Sequence, residues 1–529
     1  MIEPVDTARK SMRDRSACCD DVRVRSPVDV QEVATDVVRA PLSRWVVVVA
    51  LVELAVLLAT ASHYGYHRDE FYFVVSGQHP AWGYPDQPAL VPLVAAGMNA
   101  LAPGGLFVLR LPSAVASVAV TLLAGLLSRE IGGSRRAQLI ATACTAVSGF
   151  ALAVGHFVTT TTFDMLSTTL LLALAIRALV RRREVDLLLA GAVLGIGAEA
   201  KPQVVVVAVA MVVALAARGP RWVFRSRWFY AGVGLAVILA SPYLLWQARH
   251  GFPQLTVVGN IAGSAEGGRI GFIPFQLVLV SPVLVPVWIA GLVAPLRGRT
   301  PVMRLLGFVA VTYLVVALVY LIGNGKAYYL ASLYPVILAV GSLPTDAWLD
   351  RGRRRVRAAL LSVAVVVSAL ISGVIALPLL PESRLQGSLS MAVDPDVGET
   401  VGWPAYLTEL SHAWRSVPPS VRAHTALFTG NYGEAGAVDV LGDAYRLPHA
   451  YSAHNGFALW SRPPDTDTHA LVVGYDGPAD GSPYFTGCRI VLRVDNHVGL
   501  DNDEQHGPVM LCRTARTWSR LWPHLVHYN

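Results

Sequence analysis

Three carboxylates lie in the polar stretch 63–108, which follows the first long apolar segment of the chain. Asp69 and Glu70 are adjacent, and Asp86 follows them. A carboxylate at the edge of an apolar segment is costly unless it is paired or has a function, and such a group can take the proton of a hydroxyl. The alternative is that Arg68 and the neighbouring aromatic residues only hold this stretch in place, with Asp69 at the start of a helix.

Isolated cations form the second set of reactive residues. The chain has three lysines, and two of them, Lys201 and Lys326, stand where apolar segments end, while Arg269 closes a glycine-rich stretch. Lysine binds phosphate as a point charge, and arginine can hold it through two parallel hydrogen bonds. With the carboxylates, these cations suit a reaction that deprotonates a hydroxyl and stabilises a leaving phosphate. For each lysine the alternative is snorkelling at a helix end.

Further polar residues stand at the ends of other apolar segments. Asp164 follows a run of four threonines, His156 ends an apolar run, and Tyr328 and Tyr329 follow Lys326. If these segments cross a bilayer in alternating directions, all these residues lie at the same face. We therefore predict that they position the substrates.

Composition indicates a membrane protein. Hydrophobic residues make up 54% of the chain and charged residues 15%, whereas soluble proteins carry about 25% charged residues. A helix needs roughly 20 apolar residues to cross a bilayer. About eleven segments approach this length, and they span residues 44–62, 109–128, 137–157, 162–180, 185–200, 202–217, 228–248, 272–296, 303–322, 327–346 and 357–379.

Arginine predicts the orientation of these segments, because short cytoplasmic loops retain positive charge. Arginine-rich loops near residues 129–136, 181–183, 218–227, 297–304 and 351–357 alternate with loops that carry few charges. We therefore expect the arginine-rich loops and the N-terminus in the cytoplasm of a multi-pass protein of the inner or plasma membrane. The stretches that carry the reactive residues then lie outside. Since the arginines do not form one basic face, nucleic-acid binding is not expected.

Three domains are predicted. Residues 1–43 read as a disordered cytoplasmic tail, residues 44–380 as the transmembrane catalytic domain, and residues 383–529 as a soluble extracytoplasmic α/β domain. Strand-like runs at residues 425–429, 469–476 and 488–496 support the last of these. Cys488 and Cys512 are its only cysteines, and in an oxidising compartment they form either a disulfide or two buried thiols.

The order of these motifs resembles the branch of the GT-C glycosyltransferases that contains protein O-mannosyltransferases and the lipid A aminoarabinose transferase. The resemblance covers roughly residues 44–350. The residues that carry it are Asp69, Glu70, Tyr84, Asp86, Pro88, Asp164, Lys326, Tyr328, Tyr329, Tyr334 and Pro335. The C-terminal runs 430–442 and 447–460 also look like those of bacterial members.

The resemblance implies a polytopic α-helical membrane enzyme that uses a polyprenyl-phosphate-linked sugar. Transfer would invert the anomeric centre, and the acceptor would be a hydroxyl of an extracytoplasmic glycan, lipid or protein. Asp69 would act as the general base with Glu70 beside it. Residues that would contact the donor phosphate are Lys201, Lys326 and Arg269, and residues that would position substrates are Asp86, Asp164, His156, Tyr328 and Tyr329.

The resemblance also leaves points open. Asp86 and Asp164 would help to hold a divalent cation in some relatives, but this chain has Gln87, Pro88 and Ala89 where relatives often have His-Pro-Pro. A divalent cation held by Asp86 and Asp164 therefore stays an open alternative, and no cofactor is assigned. The run 431–434 is either an acceptor-binding loop or a tight turn in which Glu434 caps a helix, and His454 and Asn455 raise the same choice.

A membrane transporter or flippase of lipid-linked sugars is the alternative class. Such proteins also have about a dozen spans with charges near the membrane surface. Their sites, however, lie near the bilayer midplane on broken helices that are related by internal repeats. The sequence shows no internal repeat, and its isolated charges gather at one face. Transfer of a sugar is therefore the favoured hypothesis.

Overall fold

The computed structural model describes residues 37–263, 269–475 and 483–529. Most of the predicted tail, and Asp476 at the end of one predicted strand, lie outside the described residues. Within them, a bundle of helices is followed by a small mixed sheet with helices packed on it. We call these two parts the helical bundle, residues 44–376, and the C-terminal domain, residues 381–529.

The bundle consists of long apolar helices joined by short connections. Its α-helices within the described residues are α1 (Arg44–Thr60), α2 (Arg68–Gln78), α3 (Leu90–Leu101), α4 (Leu106–Glu130), α5 (Arg135–Ala146), α6 (Gly149–His156), α7 (Thr160–Arg181), α8 (Val185–Ala198), α9 (Gln203–Arg218), α10 (Arg227–Arg249), α11 (Pro253–Gly263), α12 (Arg269–Val280), α13 (Val285–Arg297), α14 (Pro301–Leu305), α15 (Gly307–Ile322), α16 (Tyr334–Leu349) and α17 (Arg354–Ala376). A 3₁₀ helix, Ala327–Leu333, leads into α16.

Six helical stretches of the described chain are long and apolar enough to cross a membrane, and two bent pairs raise this number to eight. The predicted total of eleven therefore depends on the shorter helices α1, α8 and α9 also crossing. Two predicted spans are sharply bent pairs of helices. The pair α5 and α6 bends by 58°, and the pair α12 and α13 bends by 85°. Pro282 lies in the second break, where its ring removes a backbone N–H donor.

Close backbone contact joins helices inside the bundle. A Cβ atom added to Gly191 of α8 would lie 2.1 Å from the carbonyl oxygen of Gly232 in α10. Only glycine permits this approach, which is how transmembrane helices gain packing without a hydrophobic driving force. By contrast α17 is mostly exposed, as expected for a helix that faces lipid.

The arginine-rich end of the bundle is held by ion pairs. Arg181 at the end of α7 contacts Glu130 at the end of α4 at 2.6 Å. Arg177 binds Asp186 through two nitrogens at 2.6 and 2.7 Å. These acids fix the ends of neighbouring helices relative to each other. Because α4 and α7 begin at the opposite end of the bundle, the candidate site residues lie far from these arginines.

Within the described residues, the C-terminal domain contains a sheet of five strands. Its helices are α18 (Leu389–Val393), α19 (Trp403–Ser416), α20 (Pro419–Arg422), α21 (Tyr432–Leu441), α22 (Phe457–Trp460) and α23 (Trp518–Leu525). Its strands are β1 (Thr425–Thr429), β2 (Ala450–Ser452), β3 (His469–Val473), β4 (Phe485–Arg493) and β5 (Pro508–Thr514). The third predicted strand begins three residues earlier than expected, because Phe485 already pairs with Thr514.

The sheet has the order β2-β1-β3-β5-β4. Strands β1, β2 and β3 are parallel, and β5 and β4 continue the sheet in antiparallel fashion. The parallel strands are buried on both faces, whereas β4 is an exposed edge strand. A disulfide links Cys488 of β4 to Cys512 of β5, which decides between the two expectations for these cysteines.

The C-terminal domain rests on α2 of the bundle. The carbonyl oxygen of Thr400 accepts a hydrogen bond from the backbone N–H of Gly65 at 2.7 Å. Phe71 of α2 packs edge-on against Trp403 and lies against Gly436 of α21. One hydrophobic cluster includes residues of both parts. The start of α2, where Asp69 lies, is therefore covered by the C-terminal domain.

The disulfide gives the first prediction. A disulfide that closes the loop between Cys488 and Cys512 stabilises the domain by about 2–4 kcal/mol. Replacing both Cys488 and Cys512 by serine should lower the midpoint of thermal unfolding, monitored by near-ultraviolet circular dichroism of the purified protein in detergent. A reductant should lower the midpoint of the unchanged protein and leave that of the double variant in place. Detection of both thiols free by mass mapping without reduction would contradict the assignment.

Candidate functional site

The start of α2 fixes the Asp-Glu pair. His67 precedes the helix and accepts a hydrogen bond through Nδ1 from the backbone N–H of Asp69. Glu70 accepts a hydrogen bond through Oε2 from the backbone N–H of His67 at 2.9 Å. This reciprocal arrangement satisfies N–H groups at the helix start. It also places two acidic residues in the first turn, where the helix dipole favours negative charge.

Glu70 is fully buried and bound on all sides. Its two oxygens accept hydrogen bonds from Nε and Nη2 of Arg110 at 2.9 and 2.8 Å. Oε1 also accepts from the backbone N–H of Val158 at 2.9 Å. Arg110 is itself buried and donates to the carbonyl oxygens of Ala61 and Gly65. The carboxylate of Glu70 thus ties α2 to α4 and to the chain before α7, and these contacts support a positioning role for it.

Asp69 is the accessible member of the pair. Its side chain is 32% exposed. Its Oδ1 accepts a hydrogen bond from the hydroxyl of Tyr432 at 2.8 Å, and its Oδ2 lies 3.9 Å from Nδ1 of His67. One carboxylate oxygen is therefore fixed by a protein donor, and the side chain still reaches open space. This is the geometry of a group that can accept a proton from a bound hydroxyl.

Asp86 lies near Asp69 on the loop between α2 and α3. The hydroxyl of Tyr72 donates to Oδ1 of Asp86 at 2.7 Å and accepts from the backbone N–H of Gly456 at 2.9 Å. Burial raises the pKa of Asp86 to about 7, and the negative charge of Asp69 adds to this rise. The carboxylates of Asp69 and Asp86 are thus close enough for their charges to interact.

Gln87 is a residue of this loop that the sequence did not single out for a role. Its side chain is 4% exposed, and neither its amide oxygen nor its amide nitrogen has a partner among the described residues. A buried amide without partners is costly. Such a group can hydrogen-bond the hydroxyls of a sugar, and its position next to Asp86 fits a substrate-contacting side chain.

Lys201 is the centre of the cation group. It lies in the turn between α8 and α9, donates to the hydroxyl of Thr161 at 2.8 Å, and stands 5.5 and 5.4 Å from the ring centres of Tyr328 and Tyr329. The negative charge of Asp164 acts on this ammonium group, as does that of Asp69. Three predicted site residues, Asp164, Tyr328 and Tyr329, therefore lie around this lysine, and the base candidate is close enough for its charge to act on it.

Asp164 is buried in α7, just after the first turn of this helix. Its Oδ2 accepts a hydrogen bond from the hydroxyl of Ser332, and its Oδ1 has no hydrogen-bond partner among the described residues. The nearby charge of Lys201 balances this carboxylate. Asp164 thereby joins the start of α7 to the segment that carries Tyr328 and Tyr329.

The other two cations lie on a neighbouring part of this region. Lys326 precedes the 3₁₀ helix and is close enough for its charge to act on Lys201. Arg269 starts α12 and donates to the carbonyl oxygen of Ile322 at 3.1 Å, shortly before Lys326 in the chain. Arg269 is exposed. These positions allow Lys201, Lys326 and Arg269 to contact a phosphate from more than one side.

His156 belongs to a different group from the lysines. Its Nε2 lies 3.4 Å from Nη1 of Arg110, and the adjacent Phe157 stacks on His67. The ring therefore supports the Glu70 ion pair. Its position favours an indirect effect on substrates through Arg110.

The carboxylates of the described residues do not by themselves form a preassembled site for a divalent cation. Within the described ranges, no three His, Cys, Asp or Glu side chains come together in a way that could hold a metal ion. Asp86 and Asp164 each accept a hydroxyl hydrogen bond, from Tyr72 and Ser332 respectively. The proposal below therefore uses no metal.

The sequence alone did not indicate an individual role for Arg110 or Tyr432. Arg110 is an isolated arginine inside the apolar run at the start of α4, and that isolation is the signal that could have found it. Glu434 caps α21, which matches the tight-turn interpretation of run 431–434. The same run also brings Tyr432 to Asp69, a contact between residues 363 positions apart. No local pattern indicates such a contact.

The fold and site define a class. The chain resembles GT-C glycosyltransferases of the branch that contains protein O-mannosyltransferases and the aminoarabinose transferase. Residues 86–246 match the family model described as dolichyl-phosphate-mannose-protein mannosyltransferase. This range includes Asp86, Asp164 and Lys201. No curated protein matches the chain in sequence.

Two solved structures of ArnT share the fold of this chain. ArnT from Cupriavidus metallidurans in the apo state is 15% identical, with a TM-score of 0.57 over 89% of this chain and 98% of that chain. The same protein bound to undecaprenyl phosphate is 15% identical, with a TM-score of 0.58 over 88% and 98% of the two chains. The arabinofuranosyltransferase AftD from Mycobacteria is 16% identical, with a TM-score of 0.49 over 91% and 42%. The chain is a multi-pass membrane protein with the ArnT fold.

The Glu70–Arg110 pair gives the second prediction. Replacing Glu70 by Gln leaves the buried charge of Arg110 without its partner, which costs about 3–5 kcal/mol. We expect Glu70→Gln to lower the yield of folded protein and its thermal midpoint in detergent, measured by size-exclusion chromatography and a thermal shift assay. Glu409→Gln, at a half-buried surface position, is the control and should leave both unchanged. A Glu70→Gln protein of normal stability would remove the positioning role.

Proposed function

We propose that the protein is a membrane glycosyltransferase that moves a sugar from a polyprenyl-phosphate carrier to a hydroxyl acceptor. The observation that carries this proposal is the placement of an accessible carboxylate, Asp69, near enough to Lys201, the centre of the cation group, for their charges to interact. A base and a phosphate-binding cation are the two groups that such a transfer needs. The ArnT structure bound to undecaprenyl phosphate has the same fold, which supports a carrier of this kind here.

In the proposed reaction, Asp69 takes the proton of the acceptor hydroxyl. The acceptor oxygen then forms a bond to the anomeric carbon, and the bond from this carbon to the phosphate oxygen breaks. The electron pair leaves with the polyprenyl phosphate, whose added negative charge is met by Lys201 and Lys326. Because the acceptor attacks opposite the leaving group, the anomeric configuration inverts.

The surrounding residues divide the remaining tasks. Tyr328 and Tyr329 flank Lys201 and shape the phosphate site. Asp86 and Gln87 face the sugar and form hydrogen bonds to its hydroxyls. Arg269, exposed at the start of α12, is positioned to meet the phosphate as the carrier enters. Glu70 holds the base through α2 and leaves proton transfer to Asp69.

The positions of the arginines predict which end of the bundle faces the cytoplasm. The loops rich in arginine lie at the end of the bundle opposite Asp69 and Lys201, and retained positive charge marks the cytoplasmic side. The site and the C-terminal domain would then be extracytoplasmic, in the plasma or inner membrane. The acceptor is accordingly a glycan, lipid or protein of the cell envelope.

The third prediction concerns the base. Replacing Asp69 by Asn removes the proton acceptor and keeps the size and the hydrogen bond from Tyr432, so the transfer rate should fall by about 10²- to 10⁴-fold while folding is unchanged. The measurement is transfer of a radiolabelled sugar from a polyprenyl-phosphate donor by purified protein. Asp495→Asn, at an exposed position, is the matched control.

Full turnover by the Asp69→Asn variant would contradict the mechanism. A second assay addresses transport as the alternative. If the protein, reconstituted into vesicles, moves the lipid-linked sugar across the bilayer and transfers none of it, the proposed function is wrong.

The fourth prediction concerns the phosphate. A hydrogen bond to a charged group contributes about 1.5–3 kcal/mol, so loss of Lys326 should raise the KM for the donor by about tenfold or more. We expect Lys326→Ala to act mainly on this KM and Lys326→Arg to restore part of the affinity. Arg299→Ala, an exposed cation at the opposite end of the bundle, should have no effect. An unchanged donor KM in Lys326→Ala would remove this lysine from the site.

A further inference from the structure

Two stacked tyrosines connect the C-terminal domain to the candidate base. The ring centres of Tyr72 and Tyr432 are 4.6 Å apart, with the planes inclined by 30°. Tyr72 donates its hydroxyl to Asp86, and Tyr432 donates its hydroxyl to Asp69. Each of the two carboxylates that face the substrate region therefore accepts a hydrogen bond from one member of the same pair.

The hydrogen bond from Tyr432 restricts how Asp69 can turn. With Oδ1 held by the phenol, Oδ2 is the oxygen that remains for an incoming hydroxyl. A base that is already oriented needs no reorganisation when the acceptor arrives, which is a large part of catalysis by positioning. The contact is thus placed to affect the chemical step as well as the stability of the fold.

Tyr432 remains a donor over the working pH range. Its burial, followed by the negative charge of Asp69, raises the pKa of Tyr432 well above its ordinary value. The phenol therefore keeps its proton, and Tyr432 can donate its hydrogen bond to Asp69 throughout this range.

The C-terminal domain sets the position of Tyr432. This residue opens α21, where Asn431 and Glu434 form reciprocal caps. Gly436, one turn later, lies so close to α2 that an added Cβ would stand 2.8 Å from the Cβ of Phe71. The backbone N–H of Gly456 donates to the hydroxyl of Tyr72. Both tyrosines are therefore held by the contact between domain and bundle.

We propose that Tyr432 is a positioning residue for Asp69, supplied by the C-terminal domain, so that docking of this domain on α2 completes the catalytic site. This inference rests on the proposed function, because it assigns a role in proton transfer from the acceptor. It predicts that a single phenolic oxygen, outside the helical bundle, controls the rate of transfer.

Several charged or titratable groups face Asp69 from the elements around it. They are His67 and Arg68 on its own segment, Asp86 on the following loop, Lys201 at the start of α9, and Tyr432 and His454 from the C-terminal domain. Of these, Tyr432 forms the side-chain hydrogen bond to the carboxylate. Its removal should change the pH dependence of transfer while the other groups stay in place.

The test is Tyr432→Phe in the full-length protein, purified in detergent and assayed with a polyprenyl-phosphate sugar. Phenylalanine keeps the stack on Tyr72 and removes only the donor. We expect kcat to fall about ten- to hundredfold with little change in the donor KM. The acidic limb of the pH–rate profile should move to higher pH, because the carboxylate has lost a hydrogen bond that favours its charged form.

Tyr451→Phe, at a half-buried position of β2, is the matched control and should leave kcat and the pH profile unchanged. If Asp69→Asn abolishes transfer and Tyr432→Phe leaves both kcat and the profile as they were, the positioning role is wrong and the proposed function stands. If the unchanged protein shows no transfer from any polyprenyl-phosphate sugar, the proposed function fails first. A lower kcat with an unmoved profile would assign Tyr432 to packing and overturn the inference.

Discussion

The buried ion pair between Glu70 and Arg110 is the interaction on which the site depends. Both side chains are at most 1% exposed, and an isolated charge at such a depth would be strongly unfavourable. The pair is tolerated because the remaining hydrogen-bonding groups are satisfied by backbone atoms of the chain around α1, α2 and α7. These contacts fix the first turn of α2 and, with it, the direction in which Asp69 projects.

The same turn is where the two parts of the chain meet. Arg68 forms ion pairs with Glu399 and Asp503 of the C-terminal domain, Asp69 accepts from Tyr432, and Glu70 faces the bundle. Of these consecutive residues, Arg68 and Asp69 thus contact the C-terminal domain, and Glu70 points into the bundle. A helix start permits this arrangement, because successive side chains there are separated by about 100° around the axis. The C-terminal domain is consequently part of the wall of the site and shares a hydrophobic core with the bundle.

The two groups that the proposed reaction needs, the carboxylate base and the phosphate-binding cations, lie in different surroundings. Carboxylates and tyrosines lie under the C-terminal domain, whereas Lys201 and its flanking tyrosines lie among the helix ends of the bundle. The charge of Asp69 reaches Lys201, so the halves are close enough to act on one substrate. Around Lys201, Asp164 partly balances the positive charge. This balance stabilises the lysine at the position where we propose that the donor phosphate binds.

By itself, the sequence determined the helical segments and the residue types available for chemistry. Apolar length and flanking charge act locally, so α4, α7 and α10 could be predicted to within three residues, and the isolated lysines and carboxylates could be named. Only the tertiary structure decided which of these residues meet. In the tertiary structure, Asp69 lies against the C-terminal domain and Glu70 lies inside the bundle. Two predicted spans are bent, and Tyr432 contacts Asp69 although the two residues are 363 positions apart in the chain. Such contacts depend on how helices and the sheet pack in space, and no spacing along the chain encodes that packing.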